Sequence, residues 1–170
     1  MPALPQREIA SQHATHALIA CELERLTRRV IWAERAGEDR WRRIAFLYRL
    51  ADRFGNRIFP HTFCRTEVAA AGCATGSCCS CRPDVFAWEK EVLDLLPRSK
   101  GNGGFCPFFN RARRSCGIYG IRPFACRIYY NIASSRHSCQ DPADAMLHLF
   151  ETLKPHLEQI IGPYRGGYGG

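Results

Sequence analysis

Apolar residues recur at Ile19, Leu23, Leu26, Val30 and Ala33, in steps of four, three, four and three. That spacing returns to one side of a 3.6-residue turn, so it predicts an amphipathic helix. Gly37 interrupts the pattern, and a second helix is expected to carry Ile44, Leu47, Ala51 and Phe54 on one face, flanked by Trp41 and Tyr48. Two such helices joined by a short break predict an N-terminal helical hairpin over residues 1–60, periodic from about 7 to 56. Arg28, Arg29, Arg35, Arg42 and Arg43 fall off the stripes and are expected on solvated surfaces.

The pattern changes at residue 61. Residues 61–140 show little periodicity, scattered Gly and Pro, and one predicted helix. In that helix Asp84 would be the cap and Val85, Trp88, Val92 and Leu95 or Leu96 the stripe, ending at Pro97. Ser99–Gly104 reads as a flexible loop. A third zone, 141–162, opens on Asp141-Pro142, a cap followed by proline at the first helical position. It continues through Ala145, Leu149, Leu153 and Ile160, and Pro155 is expected to kink it. The glycine-rich residues 163–170 are expected to be a disordered tail, with an arginine–glycine contact to RNA as the alternative. These zones predict a mainly α fold. The N-terminal hairpin and the C-terminal helix would pack around the loop-rich zone 61–140, in one compact domain.

Composition sharpens this picture through cysteine. The chain has 170 residues and ten cysteines, with 46% hydrophobic and 11% aromatic residues, enough apolar material to exclude wholesale disorder. No run approaches the ~20 apolar residues of a membrane span. Residues 1–8 contain no apolar stretch of the secretory type, so the expected location is the cytoplasm. There thiols stay reduced, and a cluster of them reads as metal or redox chemistry. A disulfide-rich exported protein is the competing class. It predicts no free thiols, and it conflicts with the vicinal pair Cys78-Cys79, because a disulfide between adjacent residues strains the peptide.

Charge is uneven along the chain. Twenty-four basic residues, all Arg except Lys90, Lys100 and Lys154, face 16 acidic ones for a net +8. The balance is +4 over 1–60 (eleven basic, seven acidic), +6 over 61–140 (eleven and five) and −2 over 141–170 (two and four). Nine cysteines lie in the most basic zone. Thiolates around a metal leave a negative centre, which flanking arginines would offset while hydrogen-bonding its sulfurs. Nucleic-acid binding is the rival reading of the basic excess, but no recognition motif accompanies it.

The thiols of that zone are Cys64, Cys73, Cys78, Cys79, Cys81, Cys106, Cys116, Cys126 and Cys139. Cys21 stands apart on the first helix and reads as a small apolar core residue. Cys78 and Cys81 give a C-x2-C knuckle, and Cys106, Cys116 and Cys126 follow at ten-residue steps. All-sulfur ligation favours zinc or an iron–sulfur cluster over calcium or magnesium. His61 and His137 could complete a mixed zinc site.

Cys106-Pro107-Phe108-Phe109, Cys116-Gly117-Ile118-Tyr119 and Arg122-Pro123-Phe124-Ala125-Cys126-Arg127-Ile128-Tyr129 resemble the hallmark of the YkgJ-type CxxCxxCC family. Its members are described as zinc- or iron-chelating domains, and the domain recurs in flagellin lysine N-methylase. The resemblance is dense from Cys106 to Tyr129 and extends over roughly 64–139. Upstream, Cys73-x4-Cys78-Cys79 departs from the family's C-x2-C-x2-C-C, which would place cysteine at Gly72 and Thr75. Carried over position by position, the resemblance implies Cys78, Cys79, Cys106, Cys116 and Cys126 as ligands, with Cys73 and Cys139 next. Arg122 and Arg127 would donate to thiolate or to a bound anion, and Tyr119 and Tyr129 would pack over the site. Pro123 would hold Cys116 and Cys126 in a tight loop.

The expected function is metal binding at a cysteine-ligated iron–sulfur centre of the four-iron (4Fe–4S) type. The alternatives are a cysteine-ligated zinc domain, or a metal-dependent enzyme that modifies a side chain of a protein or peptide partner. No nucleotide or S-adenosylmethionine motif supports the enzyme. Gly101-Asn102-Gly103-Gly104 is not preceded by a strand pattern, and no Ser–His–Asp or paired-carboxylate arrangement can be placed.

Overall fold

The first stripe folds as its spacing dictates. In a computed structural model of the chain, which describes residues 6–62, 68–69, 72–73, 84–98, 105–130 and 144–167, helix α1 spans Gln6–Arg35. It buries Ile19, Leu26, Val30 and Ala33, with Leu23 half-buried beside them. Asp39 then starts helix α2, Arg40–Ile58, by accepting from Trp41 N at 2.9 Å and Arg42 N at 3.3 Å. These amides have no partner inside the helix, which is why a short acidic side chain suits this position. Helix α2 buries Ile44, Leu47, Ala51 and Phe54, together with Leu50, Gly55 and Ile58.

The two helices form the expected hairpin, and helix α5, Asp144–Ile161, packs against both. Its Leu149, Phe150, Leu153, Leu157, Ile160 and Ile161 close the main core over Leu26, Val30, Leu47, Phe54 and Ile58. Helix α5 continues through Pro155. Arg40 stops it: its Nε and Nη2 donate to the last carbonyls, Ile160 O at 3.1 Å and Ile161 O at 2.9 Å. Gly162, at φ +111°, then turns the chain back, a conformation that glycine adopts without a Cβ clash.

The tail departs from expectation. Residues 164–167 are not a disordered end but strand β6, paired antiparallel with β3, Asp84–Phe86. Tyr164 supplies the reason. Its ring packs 6.0 Å from Phe86 and 6.3 Å from Phe150, with the Lys154 amine 4.0 Å above it. Glycine content predicted disorder, and one anchored aromatic overrides it.

Helix α3, Ala87–Asp94, also differs from its prediction. Asp84 lies in the strand rather than at the cap, and the helix ends before Leu95, which is 86% exposed. Because Val85 precedes the helix, the 3.6-residue spacing starts later. The buried line is Glu89 and Leu93, with Trp88 and Val92 half-buried. Residues 61–140 hold a second helix as well, α4, Phe124–Ile128, which starts directly after Pro123. A 3-10 turn, Phe59–His61, follows α2, and another, Tyr119–Ile121, precedes α4. Two short antiparallel ladders complete the region: β1 (Val68–Ala69) with β2 (Gly72–Cys73), and β4 (Phe109–Asn110) with β5 (Ser115–Cys116). Asp141-Pro142 and the loop 99–104 lie outside the described residues.

Candidate metal centre

The β4–β5 hairpin brings two of the hallmark thiols together. Phe109 pairs with Cys116, Gly117 N donates to Phe108 O at 2.8 Å, and Phe109 N donates to Cys106 O at 3.0 Å. Cys106 thus sits in the turn that leads into the strand paired with Cys116, near enough for a charge on Cys116 to raise the Cys106 pKa. Cys106 belongs to a second, small core with Val85, Leu93, Phe108 and Phe109, and Phe105, Leu96 and Ile118 pack around it.

The backbone amides of Phe108 and Phe109 favour the Cys106 thiolate, and that of Ile118 favours the Cys116 thiolate. Burial nevertheless raises both thiol pKa values. For Cys106 the neighbouring Cys116 adds to the rise and its two amides oppose it; for Cys116 the Ile118 amide and the Arg122 guanidinium oppose it. Two nearby thiols with amides that favour their thiolates, short of charge compensation, are what a soft cation would complete by replacing the protons. Arg122 adds to the fit. Its guanidinium stacks 4.0 Å above the exposed Tyr119 ring, and its buried Nε has no hydrogen-bond partner among the described residues.

Strand β2, which carries Cys73, lies beside β5, which carries Cys116. Cys126 is placed differently from the expected loop. It lies mid-way along α4, which packs on α2. Cys64, Cys78, Cys79, Cys81, Cys139 and His137 lie outside the described residues, and His61 is exposed in its 3-10 turn. Cys21 is exposed rather than in the core, because it is two residues from Ile19 and off the buried stripe. Among the described residues no three metal-ligating side chains form one group.

Arg127, expected as a donor to thiolate, is a buried clamp. Its Nη1 donates to both oxygens of Asp52 at 2.7 Å, its Nη2 to Gly120 O at 2.7 Å and its Nε to Arg122 O at 2.9 Å. Its guanidinium lies 4.6 Å over the Tyr48 ring. Beside it is a group that the sequence reading passed over. The carboxylate of buried Glu89 accepts from Phe86 N at 3.0 Å, from Phe124 N at 2.7 Å and from the Tyr48 hydroxyl. A carboxylate four residues after Val85 and four before Leu93 was the available sign, since it lies on an apolar line at helical spacing.

No family model, no curated protein and no solved structure matches this chain. The resemblance therefore stands on the residues from Cys106 to Tyr129 that carry it.

Proposed function

We propose that the protein binds a metal centre through cysteine thiolates of residues 61–140, with Cys106 and Cys116 as its founding ligands and a four-iron cluster as its occupant. The observation that carries this reading is the pair of thiols that the β4–β5 hairpin draws near one another, Cys116 on β5 and Cys106 in the turn before β4, each with backbone amides that favour its thiolate. Cys73, whose strand adjoins β5, and Cys126 on α4 are the next ligands, and Cys78, Cys79 and Cys139 complete the thiol-rich set. A thiolate-bound iron–sulfur cluster supplies one-electron chemistry at a potential set by charge, hydrogen bonds and exposure. The protein's share is to supply those terms: backbone N–H groups at the sulfurs, the Arg122 charge beside Cys116, and an apolar wall of Phe108, Phe109 and Ile118.

The small core gives the metal a structural purpose as well. Among the described residues it has five buried members and three packed against them, and a core of that size gains stability from a metal staple. The test is purification without oxygen, followed by an absorbance spectrum and analysis for iron, sulfide and zinc. The expected result is a band near ~400 nm with about four irons per chain, lost together in Cys106→Ser and Cys116→Ser. One zinc per chain with no colour overturns the cluster assignment, and retention of full metal by both variants overturns the ligand pair.

A further inference from the structure

At the far end of the hairpin from Gly37, α1 and α2 flank a cleft of about 390 Å³ whose charged lining is Arg25, Arg28, Arg29, Arg53, Arg57 and Glu22. Five guanidinium groups thus face one carboxylate. Glu22 is 7% exposed and sits beneath them, accepting from Arg25 Nη1 at 2.7 Å and, on both oxygens, from Arg57 Nη1 at 3.1 Å. It holds one arginine from each wall in place without neutralising the cleft. Arg28 has a looser partner in Glu24 at 3.7 Å. Arg29 and Arg53 have no acidic partner among the described residues and reach solvent, one from each wall.

This departs from the ordinary solvated face of a helix, where acidic side chains alternate with basic ones. Residues 25 and 29 on α1, and 53 and 57 on α2, are each one helical turn apart, about 6 Å along the axis. Two guanidinium rows therefore face each other across a narrow gap with Leu50 and Phe54 in its lining. Guanidinium forks bind tetrahedral oxyanions through paired N–H groups, and several of them converging favour an anion with more than one phosphoryl group. The charge is confined to a volume at the small end of ligand sites, which suits a compact anion better than an extended chain.

We propose that this cleft binds a compact polyphosphate, as the free anion or as the polyphosphate end of a nucleotide. The site is separate from the cysteine-rich region and does not rest on the metal reading. Arg29 and Arg53 provide the open contacts, and the Arg25–Glu22–Arg57 bridge sets the width of the gap.

The test is calorimetric titration of the full chain with pyrophosphate, with ATP and with orthophosphate at moderate ionic strength. Pyrophosphate is expected to bind at one site, more tightly than orthophosphate, with affinity falling as salt rises. The double variant Arg29→Gln/Arg53→Gln is expected to lose about tenfold or more in affinity while its thermal melting stays within a few degrees of wild type. ATP binding alongside pyrophosphate identifies the nucleotide as a source, and pyrophosphate binding alone identifies the free anion; both support the proposal. Absence of millimolar binding overturns it, as does unchanged affinity in the double variant. It is also overturned if single-stranded RNA or an acidic peptide binds where pyrophosphate does not. A measurement on wild type covers the case of a misfolded variant. Pyrophosphate should protect Arg29 and Arg53 from phenylglyoxal, read by mass spectrometry, and equal modification with and without it also overturns the proposal.

Discussion

Replacing Glu89 by alanine removes one side chain that fastens three elements. Glu89 is 3% exposed. It accepts the first free amide of α3, Phe86 N, the first of α4, Phe124 N, and the Tyr48 hydroxyl of α2. Truncation leaves these donors buried without an acceptor, at about 1–3 kcal/mol each, partly relieved because burying the carboxylate is itself costly. The expected net loss is ~3–5 kcal/mol, a large part of the ~5–15 kcal/mol that holds a domain folded. Glu89→Gln keeps an oxygen for Phe124 N and Tyr48 but turns an amide N–H toward Phe86 N, so about 1–2 kcal/mol is expected. Urea unfolding followed by circular dichroism measures both. An alanine variant within ~1 kcal/mol of wild type, with an unchanged denaturant slope, refutes the fastening role.

The same residue gives a pH dependence. Burial raises the Glu89 pKa, and the Tyr48 hydroxyl, the two amides and the Arg127 charge oppose the rise. A carboxyl with a raised folded pKa holds its proton more tightly in the folded chain than in the unfolded one. Its contribution to stability is full below the ordinary carboxylate range and declines as pH climbs through the folded value. Glutamine has no such proton, so the stability gap between wild type and Glu89→Gln should narrow from acidic to neutral pH. A gap that widens instead contradicts the direction of the shift.

Two further changes probe the packing around the same hub. Arg127→Met leaves two carbonyls without their donor and removes the partner of the half-exposed Asp52, and should cost about 2–3 kcal/mol, of which Arg127→Lys restores only part, since an ammonium cannot replace the planar fork. A double-mutant cycle with Asp52→Asn should show coupling of about 1–3 kcal/mol, and additivity within ~0.5 kcal/mol argues against the clamp. Gly55→Ala tests a close approach, because a Cβ there would lie 2.2 Å from the Tyr130 hydroxyl oxygen and 3.0 Å from its ring carbon. Alanine gains up to ~1 kcal/mol of helix propensity, yet displacement of Tyr130 should leave the variant destabilised in thermal unfolding, and a raised Tm contradicts the contact.

The helical part of the fold was legible because its cause is local. The stripes on α1, α2 and α5 are read from spacing alone, and burial follows them at Ile19, Leu26, Val30, Ala33, Ile44, Leu47, Ala51, Phe54, Leu149, Leu153 and Ile160, with Leu23 half-buried. What spacing missed has non-local causes. Strand β6 exists because Tyr164 reaches Phe86 and Phe150, residues 78 and 14 positions away in the chain. Glu89 faces inward because Tyr48 and Phe124 N meet it there, and an acidic residue considered by itself predicts a solvated position. At the candidate site, the sequence identified the thiols by type and spacing, and the fold separates their settings. Cys116 is on the β4–β5 hairpin and Cys106 in the turn before it, whereas Cys126 rides on a helix that no periodicity announced.

That separation defines how the scaffold and the thiols are connected. The main core, built on α1, α2 and α5, has no buried cysteine among its described members, so the helices do not depend on the thiols for packing. The small core includes Cys106 and lies against the hairpin that carries Cys116. Helix α4 adds Phe124, Ala125 and Ile128 to the main core and is tied at its start to Glu89 and through Arg127 to Asp52 of α2. Arg127 also holds Gly120 O and Arg122 O, the backbone that leads from Cys116 to Cys126. Arg122 in turn lowers the cost of negative charge on Cys116. The two hallmark arginines therefore divide the work. Arg127 fixes the path of the chain between the thiols, and Arg122 supplies the charge beside one of them. Loss of Arg127 should loosen the spacing of the thiols without altering the donors at Cys106, whereas loss of Arg122 should leave the spacing intact and disfavour the thiolate at Cys116.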